Sequence, residues 1–437
     1  MKWILKGTKK GAFLMARDLG ISPVLAVSLF NRGIVSRNEA LGYLNPKLEN
    51  LGDISALEEF KRAYEIIKTS IESGEKITVY GDYDADGVMS TVILVKGLRG
   101  LGGNVDYYIP DRFSEGYGLN MGAVKKLKEG GTDLIICCDN GISALEECGY
   151  IKSLGMKLII LDHHSPHKNG DRELLPEADS LIDMKISACG YSFKEFCAGG
   201  LSYRFIRGLY DSLDMQIEKE AELFIFAAVA TLCDMVELKG ENRVIAHMGL
   251  RLMNSKKNTN PGIREIIAVQ GILGKQITDH TIGFIIGPFI NAAGRMAKAA
   301  DYIDIFLSSD VNRVRTLADE LKVLNDKRKA LTDEAFAKAV SSISAKELDK
   351  VIVEYQPDIH ESVAGLAAGR IKERFSRPTI ILTDGEDYVK GSGRSVETYD
   401  MFSAVDLCRD LLVRFGGHRQ AVGLTLRKEN VDELRLR

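Results

Sequence analysis

Four short stretches of the chain carry side chains that hold cations or move protons. They are Gly81-Asp82-Tyr83-Asp84-Ala85-Asp86-Gly87, Cys138-Asp139-Asn140-Gly141, Asp162-His163-His164, and Asp234 within Ala230-Thr231-Leu232-Cys233-Asp234-Met235. The first stretch puts three carboxylates into five residues, and these repel one another unless cations neutralise them. Carboxylates mixed with imidazoles suit manganese, magnesium or a similar divalent ion. One carboxylate can bridge two such ions about 3.5–4 Å apart, and the pair activates water and clamps a phosphate. The residue types alone point to metal-assisted hydrolysis of a phosphate ester.

Positioning these groups falls to the elements around them. Each of the first three stretches follows an apolar run that reads as a strand, at 76–80, 133–138 and 157–161. A further strand is predicted at 104–109, with helices at 88–100, 121–128 and 143–154. Apolar strands alternating with helices predict a parallel sheet covered on both faces. Ligands of such sheets gather beyond the carboxyl ends of the strands. Asp234 stands near the end of an apolar helix. Taken singly, each motif has a duller reading. An Asp-rich turn is a solvated loop or a helix cap, adjacent histidines are commonly structural, and Asp139-Asn140-Gly141 is an ordinary turn sequence. Asp234 reads as a polar residue satisfied at a helix end. Their shared position after successive strands favours one site over four coincidences.

The 437 residues predict two to four domains. Hydrophobic residues at 45% and charged residues at 27% fit a soluble globular chain and exclude a largely disordered, collagen-like or small disulfide-scaffold protein. No apolar run reaches the roughly 18 residues of a spanning helix. Residues 1–7 lack the long apolar core of a secretory signal. Seven scattered cysteines, with Cys137 and Cys138 expected on opposite faces of one strand, fit reduced cytoplasmic thiols. Net charge is −3, so binding to an anionic polymer would need a local groove and metal ions. Beyond the first sheet, 199–307 reads as helical. A charged pattern at 309–345, with Val314, Leu317, Leu321, Leu324 and Leu331 on one stripe, reads either as a helix bridging two domains or as a surface helix. A second alternation follows, with strands at 350–354, 379–382 and 421–426 and helices at 361–375 and 400–415. Gly391-Ser392-Gly393-Arg394-Ser395 and Gly416-Gly417-His418-Arg419-Gln420 read as glycine-rich turns whose N–H groups approach phosphate oxygens. Arg394 would add a bidentate contact there.

In order, DYDADG, CDNG, DHH and CDMV resemble the DHH phosphoesterase superfamily, and within it the RecJ-like single-strand DNA exonucleases. Residues 111–119, Asn291-Ala292-Ala293-Gly294-Arg295-Met296, His360 to Arg370 and Gly416-Gly417-His418 carry the resemblance further, so that it covers about 75 to 425. It implies an α/β fold, with a parallel-sheet DHH domain (51–308) joined by a long helix (309–345) to a smaller α/β DHH-associated substrate-binding domain (346–437). A helical segment (1–50) precedes them. Asp82, Asp84 and Asp139 look like ligands of one metal ion. Asp86, Asp139, His163 and Asp234 look like ligands of the other, with Asp139 bridging. Manganese is favoured over magnesium. His164 would face the scissile phosphate and Asp162 would orient its neighbours, so Asp139, Asp162, His163 and His164 form the catalytic set. Arg112, Arg295, Arg370, Arg394, Ser395, Gly416, Gly417 and His418 are the substrate-binding candidates, with a salt bridge the plainer role for Arg370.

The implied activity is 5′-to-3′ hydrolysis of single-stranded DNA to 5′-mononucleotides, for repair and recombination, by a cytoplasmic monomer. A groove between the domains would admit one strand but not a duplex, and sequence preference should be low. A single-strand-binding protein and a helicase are the implied partners, and no membrane is involved. The nearest alternative is a DHH phosphodiesterase acting on short oligoribonucleotides, cyclic dinucleotides or nucleotide phosphates. A non-catalytic scaffold of the same fold would lose metal ligands, and here every expected position is filled. Two departures stand out. Phe289 replaces a basic residue, where it would weaken backbone contacts or stack on a base, and Ser362 replaces a glycine. Members of the family typically continue into an oligonucleotide-binding barrel, and no segment here reads as one.

Overall fold

A computed structural model describes residues 10–255, 260–344 and 349–437. The reading of residues 1–7 and the ends of the two predicted segments that meet near 345 lie outside them. The chain divides into two units, Met1–Gly294 with Lys298–Asp319, and Arg295–Ala297 with Glu320–Arg437. Among the described residues, no helix is long and apolar enough to cross a membrane.

The first unit is built on strands β1 (Lys76–Tyr80), β2 (Asn104–Tyr108), β3 (Leu134–Cys138) and β4 (Lys157–Leu161), a short hairpin of β5 (His167–Asn169) and β6 (Arg172–Leu174), and β7 (Ser180–Ile182). The main sheet has the order β2-β1-β3-β4-β7 and every pairing in it is parallel. Burial on both faces explains why the central strands β3 and β4 are apolar nearly throughout. Tyr80, Cys137 and Ile160 align across the sheet and pack under the helices Met121–Glu129 and Leu145–Ser153. The next residue, Cys138, turns to the other face, where its thiol lies 3.6 Å from the Thr91 hydroxyl on the helix Ala85–Gly100. That helix packs against Ala198–Ser212 and Glu220–Cys233. β7 was not expected from the sequence, because three residues are too few to show a pattern. Preceding the sheet, Lys10–Leu19, Pro23–Asn31 and Arg37–Leu44 are helices, the last closed by a reciprocal Ser36–Glu39 cap.

The strand order turns back on itself at β1, with β2 on one side and β3 on the other. Such a reversal opens a crevice at the carboxyl ends of the strands. Asp82 follows β1, Asp139 follows β3, and Asp162 follows β4.

The helix Val311–Ser344 joins the units, and the boundary between them falls inside it. Val314, Leu317 and Ala318 are buried on its first part, while Ala335, Ala339 and Ile343 belong to a core with the helix Glu361–Phe375. The bridging alternative is therefore the observed one. The second unit holds a mixed sheet of β8 (Ile352–Tyr355), β9 (Thr379–Asp384), β10 (Val389–Arg394), β11 (Leu412–His418) and β12 (Ala421–Leu426) in the order β11-β12-β10-β9-β8. Only β8 and β9 run parallel. Two expectations are corrected here. Gly391 to Arg394 and Gly416 to His418 are strands rather than turns, and the predicted helix at 400–415 ends at Asp406 and gives way to β11. Glycine suits β10 because the sheet face there is crowded. A Cβ on Gly391 would meet Leu382 and one on Gly393 would meet the Met401 sulfur.

Candidate metal centre

Local structure aims each carboxylate. Asp84 caps the helix Ala85–Gly100, its Oδ1 accepting from Asp86 N at 2.9 Å and Gly87 N at 3.1 Å. Capping leaves the rest of the Asp84 carboxylate exposed at the mouth of the site. It also brings Asp86 into the first turn of the helix, which starts three residues earlier than the sequence suggested. Asp86 is buried at the N-terminus of the helix Ala198–Ser212. Its oxygens accept from Ala198 N at 2.9 Å and Gly199 N at 2.8 Å. Asp82 is buried with one oxygen lacking any hydrogen-bond partner. Asp139 takes the left-handed conformation, with φ of 63°. This is uncommon for a residue other than glycine, and Asp is among those that tolerate it.

His163 occupies the middle. Its Nε2 lies 3.1 Å from Asp139 Oδ1 and 3.7 Å from Asp86 Oδ2, and its Nδ1 lies 3.8 Å from Asp234 Oδ2. Asp162 is buried beneath the pair of histidines. It accepts from Ile142 N, His163 N and His164 N, and from the His164 ring Nδ1 at 2.7 Å. It therefore holds the His164 ring and the backbone of both histidines.

Donor atoms of Asp82, Asp84 and Asp139 lie within 4.8 Å of one another, as do those of Asp86, His163 and Asp234, and those of Asp139, His163 and His164. Electrostatics shows the cost of this crowding. Burial, then repulsion from neighbouring aspartates, pushes Asp82 and Asp139 well above the usual carboxylate range. The same two causes push Asp86 up to about 6 and Asp234 up to about 8. Burial also drives His163 down to about 3, leaving a neutral ring able to donate a lone pair. At His164 burial acts downward but the Asp162 hydrogen bond and charge outweigh it, raising the ring to about 9. Asp162 is pushed up by burial and pulled further down by its histidine and backbone partners, to about 2. Buried carboxylates held close together, a neutral imidazole and two buried acceptors left without partners, Asp82 Oδ1 and His163 Nδ1, fit a pair of divalent cations.

The substrate-binding candidates divide between the units. Arg112 belongs to the first, its guanidinium carbon 5.2 Å from the Tyr83 ring centre. The others belong to the second unit. Arg295 donates to the Ser362 carbonyl at 3.0 Å. Arg394 lies against Gly365, where a Cβ would come within 3.0 Å of the guanidinium. Ser395 is buried and donates to the Tyr399 carbonyl at 2.8 Å. Gly416, Gly417 and His418 lie on β11, where a Cβ on Gly417 would strike the Ala421 carbonyl. Arg370 pairs with Asp333 and stacks over Phe336 at 4.2 Å, the plainer of the two roles considered for it. Phe289 requires a correction. It has no exposed surface in the helix Gly287–Met296, so it fills the core and cannot stack on a base. Sequence reasoning gave no role to Tyr117, whose hydroxyl donates to the Asp139 carbonyl at 2.7 Å. Asn291, quoted only for the resemblance, was likewise given no role, although its side-chain oxygen accepts from Ala85 N at 2.7 Å; both contacts join distant segments.

Comparison with known proteins matches residues 76–231 to the N-terminal domain of the DHH family and residues 348–436 to the DHHA1 domain. The chain is 35% identical to the single-stranded-DNA-specific exonuclease RecJ of Bacillus subtilis over 97% of its own length and 52% of that protein. It is 33% identical to the protein of the same name from Salmonella typhimurium, over 95% of this chain and 74% of that one. The crystal structure of RecJ from Thermus thermophilus in complex with Mn2+ superposes with a TM-score of 0.83 at 27% identity, covering 98% of this chain and 60% of that one. The chain thus spans about half the length of its Bacillus relative. With both domain models matched in order and a third of its residues shared with relatives along nearly all its length, the chain belongs to the RecJ family of DHH proteins.

Proposed function

We propose that the chain is a metal-dependent exonuclease that hydrolyses single-stranded DNA from the 5′ end and releases 5′-mononucleotides. The observation that carries this reading is the convergence of Asp82, Asp84, Asp86, Asp139, His163 and Asp234 at one sheet edge, in a chain similar to exonucleases along nearly its whole length. Asp82, Asp84 and Asp139 would hold one divalent cation. Asp86, His163 and Asp234, with Asp139 shared, would hold the second. Manganese is favoured over magnesium because an imidazole stands among the carboxylates. When bound, such ions lower the pKa of an attacking water and neutralise charge on the phosphate. Asp162 occupies the His164 Nδ1 and its charge favours the protonated ring. Nε2 then serves as a cationic donor for a phosphate oxygen. Arg112, Arg295, Arg394, Ser395, Gly416, Gly417 and His418 would engage the sugar-phosphate chain in this reading, while Arg370 stays with its Asp333 pair, and such contacts carry little base information. Cytoplasmic location is supported by seven cysteines that remain free thiols. A monomer, and cooperation with a single-strand-binding protein and a helicase, follow from the family resemblance.

Digestion of 5′- and 3′-labelled single strands, duplex and RNA, each with manganese, magnesium or chelator, tests the reading. Stepwise release from the 5′ end of single strands, abolished by chelator, is expected. Activity confined to dimers through pentamers would replace it with the oligonucleotide phosphodiesterase alternative.

A further inference from the structure

The loop between β2 and the helix Met121–Glu129 is built to hold one side chain over the metal centre. Asp111 Oδ1 accepts from Phe113 N at 3.1 Å and from Ser114 N at 2.8 Å, and Glu115 Oε2 accepts from Asp111 N at 2.7 Å. Gly116 and Gly118, with φ of 83° and 78°, bracket Tyr117. These are conformations that glycine adopts without strain. The Gly118 carbonyl is tied down by the buried Tyr80 hydroxyl at 3.0 Å. Tyr117 itself is half exposed, yet its hydroxyl donates inward to the Asp139 carbonyl at 2.7 Å. The same oxygen lies 3.5 Å from both nitrogens of the His164 ring, and the two ring planes cross at 76°. Equal distance to the two nitrogens places the hydroxyl against the ring without selecting either one as its partner. It restricts the imidazole plane while Asp162 holds Nδ1. The Asp139 peptide has the less common left-handed conformation, so a bond to its carbonyl fixes the direction of the carboxylate that follows from it.

We propose that Tyr117 is a positioning residue, whose hydroxyl fixes the Asp139 peptide and the His164 ring so that the shared carboxylate and the phosphate-facing imidazole keep their working orientation. This rests on the exonuclease reading for its catalytic half and on the metal centre alone for the other. Outer partners of metal ligands commonly carry about 10- to 100-fold in metal affinity or activity. Tyr117→Phe removes only the hydroxyl and keeps the packing of the ring.

Manganese titration followed by electron paramagnetic resonance should show about 10-fold weaker binding in Tyr117→Phe, with the melting temperature of the metal-free protein unchanged. At saturating manganese, kcat on single-stranded DNA should fall about 10-fold with KM within about twofold. In a His164→Ala background, the same substitution should lower kcat by much less, since the two groups act together. Wild-type affinity and wild-type kcat in Tyr117→Phe would overturn the proposal, and so would losses that track a lowered melting temperature. A parent protein that binds manganese but leaves DNA uncut would refute the exonuclease reading, while the affinity ratio would still decide the role of Tyr117.

Discussion

Asp139→Asn separates the electrostatic account from a purely structural one, because it should move stability in opposite directions with and without metal. Asn tolerates the left-handed φ of 63° at this position, so the backbone is not strained by the change. Its side-chain oxygen can still accept from His163 Nε2, now 3.1 Å from Asp139 Oδ1. What disappears is a buried charge whose oxygens lie within 4.8 Å of those of Asp82 and Asp84. At that separation and an effective dielectric near 20, each like-charge pair costs about 3.5 kcal/mol when both are ionised. The raised pKa values show that protonation relieves much of this, so the metal-free variant should gain roughly 1–2 kcal/mol and melt a few degrees above the parent. The parent should gain about 2.7 kcal/mol from manganese at one hundred times its Kd, or roughly 5 °C for a unit of this size. The variant, lacking the shared ligand, should gain under about 1 °C at the same concentration. Losing several kcal/mol of transition-state stabilisation corresponds to about a thousandfold lower kcat. Differential scanning fluorimetry with manganese or chelator, alongside a digestion assay, reads all three quantities. A metal-free variant less stable than the parent, together with an undiminished manganese shift, would refute the reasoning.

Three further outcomes follow from the same geometry. Between pH 6.5 and 9 the metal-free protein should lose stability as pH rises. Asp234, raised to about 8, and His164, raised to about 9, both bind protons in the folded state that the unfolded chain has released, and saturating manganese should flatten the Asp234 part of the slope. Gly199→Ala should destabilise the first unit by about 1–3 kcal/mol in chemical denaturation, because the new Cβ would stand 2.3 Å from Ala230 Cβ and 3.2 Å from Asp86 Oδ1. It should weaken manganese binding at the same time, and a neutral result would show that this helix contact is loose. Arg394→Ala should raise KM for single-stranded DNA with kcat little changed, and a large fall in kcat at unchanged KM would contradict a binding role.

Much of the site was legible because its chemistry is local. A five-residue apolar strand followed at once by an acidic motif is visible at Tyr80–Asp82, Cys138–Asp139 and Leu161–Asp162, and a parallel sheet necessarily brings such ends to one edge. The contacts of Tyr117 and Asn291 were not legible in the same way, since each reaches a segment far along the chain and neither side chain is itself charged. Phe289 misled because the sequence shows its type but not its burial on the helix Gly287–Met296. β10 and β11 were mistaken for turns because glycine weighs towards turns in any local reading. In β10 it is chosen instead by neighbours such as Leu382 and Met401, and at Gly417 of β11 by the Ala421 carbonyl, which leave no room for a Cβ. β7 is too short to carry a pattern, yet its Ile182 carbonyl accepts from Asp162 N at 3.2 Å and completes the sheet beside the histidines.

Anomalous diffraction from crystals of this chain soaked in manganese tests the central claim most directly. The account predicts two peaks, one bounded by Asp82, Asp84 and Asp139 and the other by Asp86, His163 and Asp234. Crystals that take up no manganese there at millimolar concentration, with these carboxylates protonated and paired to one another, would contradict it.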